Sequence, residues 1–208
     1  MDIKTARFLS SETEVKKFPT PNLPEFAFIG RSNVGKSSLI NMLSNQKKLA
    51  KISARPGKTQ TINHFLMNEN WYLADMPGYG WAKVGKTKKA GFLEMNRKYF
   101  INRTNLVCTM VLIDSRLEPQ AIDMEFIDWM GTLQIPFVLV FTKVDKHSVN
   151  KAQTNISLFK KKMLEKWEEV PEIFVTSAIT GYGKDKILDF IFNVNQNFET
   201  QANNISQV

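Results

Sequence analysis

Gly30-Arg31-Ser32-Asn33-Val34-Gly35-Lys36-Ser37 decides the reading of this 208-residue chain. Glycine, four residues, then Gly-Lys-Ser is the pattern of a loop that cradles phosphates. Consecutive backbone N–H groups in such a loop surround a phosphate chain, and its glycines turn tightly without a Cβ clash. Lys36 can reach the β- and γ-phosphates as a point charge, and the Ser37 hydroxyl can ligate Mg²⁺. At average glycine usage the bare pattern arises by chance in on the order of 1% of chains this long, so context has to support it. Glu25-Phe26-Ala27-Phe28-Ile29 is an apolar run that ends at the loop, as a buried strand would. Ser38-Leu39-Ile40-Asn41-Met42-Leu43 follows with helical spacing, so a helix N-terminus and its dipole face the phosphates.

The length suits one medium domain with short extensions. Hydrophobic residues make up 43%, enough for a full core. No apolar run approaches the ~20 residues of a membrane span, and Met1-Asp2-Ile3-Lys4-Thr5-Ala6-Arg7 carries no apolar signal core. The expectation is a soluble, monomeric, cytoplasmic protein with no membrane partner. The single Cys108 excludes an intrachain disulfide and, inside an apolar run, reads as strand filler. A net charge of +8 fits an acidic polymer as partner, nucleic acid before membrane, and equally a surface of scattered lysines.

Strand candidates near 25–30, 63–68, 70–75, 106–113, 136–142 and 172–176 alternate with amphipathic helices. The helices are marked by Phe92, Met95, Tyr99 and Phe100; by Ile122, Phe126, Ile127 and Met130; by Ile156, Phe159, Met163, Leu164 and Trp167; and by Ile187, Leu188, Ile191 and Phe192. These stripes are core faces. The alternation predicts an α/β domain: a mostly parallel six-stranded sheet, helices on both faces, and one antiparallel edge strand in a hairpin turned by Asn68-Glu69-Asn70. Residues 1–20 read as a polar arm or edge segment, 21–198 as the domain and 199–208 as a disordered tail. In such sheets ligands sit beyond the carboxyl ends of the strands.

Three further motifs fall at such ends, and a fourth lies between the first helix and the second strand. In Asp75-Met76-Pro77-Gly78, Asp75 can hold a Mg²⁺-bound water and the Gly78 N–H can meet a γ-phosphate. In Thr142-Lys143-Val144-Asp145, the carboxylate can accept from guanine N1–H and the N2 amine, a donor pair adenine lacks, while the Lys143 stem covers the base. In Thr176-Ser177-Ala178, small side chains let backbone amides approach the purine O6. In Arg55-Pro56-Gly57-Lys58-Thr59-Gln60-Thr61, a threonine can add hydroxyl and carbonyl to Mg²⁺ and the γ-phosphate, and Thr59 and Thr61 both qualify. Each alone is an ordinary turn; five elements in this order make coincidence negligible.

The chain resembles translation-factor-class P-loop GTPases and, more narrowly, the bacterial EngB/YihA/YsxC family of ribosome-biogenesis GTPases. The match rests on Gly-Arg-Ser-Asn-Val-Gly-Lys-Ser-Ser at 30–38, Arg-Pro-Gly-Lys-Thr-Gln-Thr-Ile-Asn at 55–63, Asp-Met-Pro-Gly-Tyr-Gly-Trp-Ala-Lys-Val at 75–84 and Thr-Lys-Val-Asp at 142–145, within residues 3–195. The resemblance implies a single GTPase domain that binds GTP and GDP with Mg²⁺ and hydrolyses GTP. It implies action on the large ribosomal subunit precursor and its rRNA, and through that a part in septation at cell division. It implies nucleotide contacts from Gly30, Arg31, Ser32, Asn33, Val34, Gly35, Lys36, Ser37, Ser38, Gly57, Thr59, Asp75, Gly78, Thr142, Lys143, Asp145, Thr176, Ser177 and Ala178. Ser37 and Thr59 would ligate Mg²⁺ and Asp75 would do so through water; Thr59 is favoured over Thr61 as the switch I ligand. Lys36, Asn33 and Thr59 would carry catalysis.

The base motif usually begins with Asn, and Thr142 is a common family change. Ras-like GTPases place a glutamine after the glycine of the Asp75–Gly78 motif to orient water. Tyr79 stands there instead, so slow intrinsic hydrolysis is expected. In related GTPases with Asn33, K⁺ sits where an arginine finger would put charge; Arg31 and Arg55 are rival sources. Gly80-Trp81-Ala82-Lys83-Val84-Gly85-Lys86-Thr87-Lys88-Lys89 fits an rRNA contact and equally a solvated helix start. Lys160-Lys161-Lys162 reads as a solvated face, and Asp114, Arg116, His64 and His147 receive no role. Two other functions compete: a nucleotide phosphotransferase, for which no arginine-rich lid is present, and a GTPase with a non-ribosomal protein or tRNA-modification partner, which usually carries extra domains.

Overall fold

β2 (Glu25–Gly30) is buried at every residue and divides the core in two. Phe26 and Phe28 join one apolar cluster with Leu39, Ile40 and Leu43 of α1 (Lys36–Leu43) and Ile187, Leu188 and Ile191 of α5 (Lys184–Ile205). Ala27 and Ile29 point the other way, as strand periodicity requires. They pack with Tyr99 and Phe100 of α2 (Lys86–Asn102), Ile127 and Met130 of α3 (Ala121–Thr132), and Phe159 of α4 (Val149–Met163). The computed structural model describes residues 2–51, 61–79 and 86–205, of which 86–90, 92, 93 and 199–205 by backbone alone. No helix among these residues is long and apolar enough to cross a membrane.

The remaining strands are β1 (Ala6–Glu12), β3 (Ile62–Met67), β4 (Trp71–Asp75), β5 (Leu106–Asp114), β6 (Phe137–Thr142) and β7 (Ile173–Val175). The sheet order is β1-β3-β4-β2-β5-β6-β7. Strands β4, β2, β5, β6 and β7 pair in parallel, so the loops after β2, β4, β5, β6 and β7 gather at one end. The β3–β4 hairpin forms as expected: Asn68 and Glu69 both take positive φ, 49° and 58°, and Asn70 N–H donates to Met67 O at 3.1 Å. Two adjacent left-handed residues are the turn that matches strand twist, which favours Asn at the first position. Cys108 is the buried filler expected in β5, and burial pushes its thiol up to about 12.

Three expectations need correction. The sheet has seven strands, because the N-terminal segment supplies β1, antiparallel to β3. β3 therefore runs against all the others from the second position, and β1 is the edge. The polar segment is fastened by the Asn68 side chain, which accepts from Lys4 and Thr5 N–H at 2.7 and 3.2 Å, and by Ile3 and Phe18, which enter the two core clusters. Second, α4 ends at Met163, leaving Leu164 exposed; Lys166 and Trp167 N–H both fold back to Met163 O at 3.0 Å. The Trp167 ring then lies over Gly131, where a Cβ would come within 2.5 Å of it. Third, α5 continues to Ile205 through the segment read as a disordered tail, with no glycine or proline to stop it; 206–208 lie outside the described residues.

Glu25, at the start of β2, is fully buried among charges and dipoles. Arg103 forks onto it at 2.9 and 2.6 Å, the Tyr99 hydroxyl donates at 2.6 Å, and His64 Nε2 lies 3.5 Å away. Burial pushes the carboxyl up, but His64 and Arg103 outweigh it and hold it at about 2. Arg103 carries more of this than His64, whose ring nitrogens make no hydrogen bond. A depressed carboxyl stabilises the fold above its unfolded value near 4.5 and loses that contribution as pH falls toward 2. Arg103→Ala is predicted to cost about 3–5 kcal/mol at pH 7, because it strands a buried carboxylate. Its acid unfolding should begin at higher pH than in the parent. Urea denaturation across pH 3–7 measures both; unchanged stability at pH 7 would assign the carboxylate to Tyr99 and His64 alone.

Candidate functional site

The loop leaving β2 turns left-handed twice, at Asn33 (φ 63°) and Gly35 (φ 109°), before α1 begins at Lys36. A Cβ at Gly35 would be strained by that φ, and one at Gly30 would lie 2.7 Å from Leu112 O. Ser32 and Asn33 are exposed, Val34 is buried, and Arg31, Gly35, Lys36, Ser37 and Ser38 are half-buried. The sequence-predicted loop residues thus form one turn over the carboxyl end of β2.

Neighbouring motifs grip this turn. The Thr142 hydroxyl, at the end of β6, donates to Val34 O at 2.6 Å and lies 3.2 Å from Ile113 O. Lys143 Nζ donates to Asn33 O at 2.5 Å and Asp114 Oδ2 at 2.9 Å. Tyr79 N–H donates to Gly30 O at 3.2 Å, and a Cβ on Gly78 would come within 2.6 Å of the same oxygen. Asp75, at the end of β4, touches Lys36 Nζ through Oδ1, and its Oδ2 accepts from Asn63 at 3.4 Å. Burial pushes the Lys36 ammonium down to about 7, and the carboxylate at its side works in the opposite sense.

A second cluster lies beyond β6 and β7. Asp145 Oδ1 accepts from the Ser177 hydroxyl at 2.6 Å, and that bond draws the Asp145 carboxyl below its ordinary range. Val144 N–H donates to Thr176 O at 3.2 Å; Thr176 is buried and Ala178 half-buried beside it. Thr142, Lys143, Asp145, Thr176, Ser177 and Ala178 thus come together next to the phosphate loop. Ser177 fixes one Asp145 oxygen, the arrangement a carboxylate needs to present a defined acceptor pair.

Gly57, Thr59 and Arg55 lie outside the described residues, as do Trp81 and Lys83. The Thr61 hydroxyl is hydrogen-bonded to that of Ser11 on β1 at 2.7 Å. Arg31 and Tyr79 share one partner. Asp123 Oδ1, on α3, accepts from Arg31 Nε at 3.0 Å and from the Tyr79 hydroxyl at 2.9 Å. Tyr79 is buried and stacked on Phe126 with ring centroids 4.2 Å apart. Burial and the Asp123 charge push the phenol well above its ordinary range, so it stays a donor. In this arrangement both the Tyr79 hydroxyl and the Arg31 guanidinium are engaged by Asp123. The sequence reading named Asp114 but gave it no role, and it did not name Asp123. The available signal for Asp114 was its place at the carboxyl end of β5, between the strands that carry the two motifs.

The donor set suits Mg²⁺. The Ser37 hydroxyl and the Asp75 carboxylate are hard oxygen ligands, and Mg²⁺ characteristically takes few protein ligands besides phosphates and water. Among the described residues no group of three or more His, Cys, Asp or Glu could hold a metal by itself.

Residues 25–143 match the family model described as 50S ribosome-binding GTPase. A probable GTP-binding protein EngB of Christiangramia forsetii is 55% identical over 195 residues, 94% of this chain and 98% of that protein. Its counterpart in Porphyromonas gingivalis is 50% identical over 201 residues, 97% of this chain and 100% of that one. The crystal structure of a probable GTP-binding protein engB superposes with a TM-score of 0.67 at 26% identity, covering 83% of this chain and 99% of that one. With the phosphate loop and its flanking motifs in one place, the chain belongs to the EngB family of GTP-binding proteins and is a GTPase.

Proposed function

We propose that this GTPase is a nucleotide-driven switch in assembly of the large ribosomal subunit, acting in the cytoplasm on the subunit precursor and its rRNA. The supporting observation is the match to a family described as binding the 50S ribosome. The net charge of +8 agrees with a polyanionic partner. Gly78, packed against Gly30 O and the Ser32 N–H, is where a γ-phosphate would be sensed. The lysines that follow in sequence would then meet RNA in one nucleotide state. The precursor particle should co-sediment with the protein in GTP more than in GDP. Replacing Lys83, Lys86, Lys88 and Lys89 together by alanine should flatten the salt dependence of that binding by about 0.7–0.9 log units per lost phosphate contact, with nucleotide affinity retained. An identical slope in both proteins would return these lysines to the solvated face.

In catalysis, Lys36 binds the β- and γ-phosphates, the loop amides hold the chain, and Asp145 with Ser177 orients guanine. Ser37 and Thr59, and Asp75 through water, would hold Mg²⁺, which would supply charge neutralisation at the phosphates. Buried polar mismatches discriminate by ~10⁴-fold or more, so Asp145→Asn, which swaps an acceptor for an amide donor, should lose GTP and gain xanthosine triphosphate. Competition binding with both nucleotides and ATP measures this; unchanged GTP affinity would remove Asp145 from the base site.

Developing charge on the phosphates still needs a stabiliser. Arg31 is held by Asp123, and Tyr79 is turned into the core, which favours the exposed Asn33 side chain and a K⁺ ion beside it. Single-turnover GTP hydrolysis should be faster in K⁺ than in Na⁺ at equal ionic strength. Asn33→Ala should erase that difference while GTP still binds. Equal rates in both salts, with and without ribosomal particles, would assign the charge to an arginine or a partner.

A further inference from the structure

We propose that Asp114 is a positioning residue of the nucleotide site: the carboxylate that ends β5 holds the Lys143 side chain across the base side and so sets how long guanine nucleotides remain bound. The inference rests on the reading of Lys143 as the residue whose stem covers the base.

Lys143 is in an unusual state before any ligand arrives. Its backbone is left-handed, φ 61°, a conformation that a long side chain adopts only when its surroundings impose it. Its ammonium bridges two fixed points, Asn33 O at 2.5 Å and Asp114 Oδ2 at 2.9 Å. The stem is therefore strung from the end of β6 to the phosphate loop. A lysine stem has many rotamers, so freezing one beforehand removes an ordering cost that the nucleotide would otherwise meet on binding.

Asp114 can do this because its own orientation is fixed. It lies opposite Thr142 in the β5–β6 register, which places it one residue from Lys143 on the adjacent strand. It is 5% exposed. Arg116 forks onto it, Nε to Oδ1 at 2.9 Å and Nη2 to Oδ2, the oxygen that Lys143 shares, at 2.7 Å, and the Arg116 N–H donates to Oδ1 at 3.1 Å. Burial pushes the acid up, but Arg116 and Lys143 outweigh it and hold it at about 2. It is therefore charged whenever the protein is folded near neutral pH. With its charge matched, Lys143 lies along the base side instead of turning toward the phosphates, where Lys36 already serves.

The test is a double-mutant cycle on the full chain, read as the dissociation rate of a fluorescent GDP analogue and the affinity for GTP. Asp114→Asn should speed dissociation on the order of tenfold, for GDP and GTP alike. In a Lys143→Ala background, itself impaired, the same change should have almost no effect. Arg116→Ala, which keeps the carboxylate but frees it to rotate, should give an intermediate acceleration only when Lys143 is present, and serves if Asp114→Asn does not fold. If Lys143→Ala is impaired and either change accelerates release equally in both backgrounds, Asp114 supports the fold and not Lys143, and the proposal is overturned. If Lys143→Ala dissociates like the parent, the base-covering reading of Lys143 itself is what fails.

Discussion

Three carbonyl oxygens of the 30–35 loop are taken by neighbouring segments: Gly30 O by Tyr79 N–H, Asn33 O by Lys143, Val34 O by the Thr142 hydroxyl. A turn with two left-handed residues would relax if left alone. Here strands β4 and β6 supply the groups that prevent it. What such a loop offers an anion is its N–H groups, and holding these carbonyls from outside helps to fix the amides between them. The motifs are therefore not independent sites set side by side. The 142–145 segment, proposed to read the base, also shapes the phosphate loop, so on that reading a change at Thr142 or Lys143 reaches both ends of a nucleotide.

Much of this was legible in the sequence because its signals are local. β2 and the Gly-Lys-Ser turn lie within one short stretch, and the hairpin announces itself through Asn68-Glu69-Asn70. Asp145 and Ser177 could be named because each follows an apolar strand. The contacts that escaped join residues far apart in the chain. β1 has only a loose alternation, Ala-Arg-Phe-Leu-Ser-Ser-Glu, and its partner β3 follows after several other elements. Trp167 keeps a helical spacing from Met163 but leaves the helix, because Gly131 on α3 offers a slot for its ring. Periodicity records which residues are apolar, not which notch they fill.

Asp123 shows the same limit for polar groups. Arg31 reads in sequence as a cation in a phosphate loop and Tyr79 as a misfit where a glutamine is usual. Placed in three dimensions they are two donors to one buried oxygen. The parallel bridge between Arg31 and Tyr79 adds a backbone link to that side-chain one. The end of the 75–79 segment is thereby tied to the phosphate loop and to α3 together, so movement in any one of the three is felt by the other two.

β1 also decides which open edge the sheet presents to other molecules. Its strand exposes Arg7, Phe8 and Ser11, is paired through Arg7 to Glu69, and is broken in register between Phe8 and Ser10. Irregular, charged edges of this kind discourage strand addition. Behind it lies β3, whose Phe65 and Met67 are buried. A chain trimmed of its first dozen residues would lose this shield, leaving a regular apolar strand that another copy can extend. Self-association of such a shortened form would reflect the missing strand rather than any property of the nucleotide site.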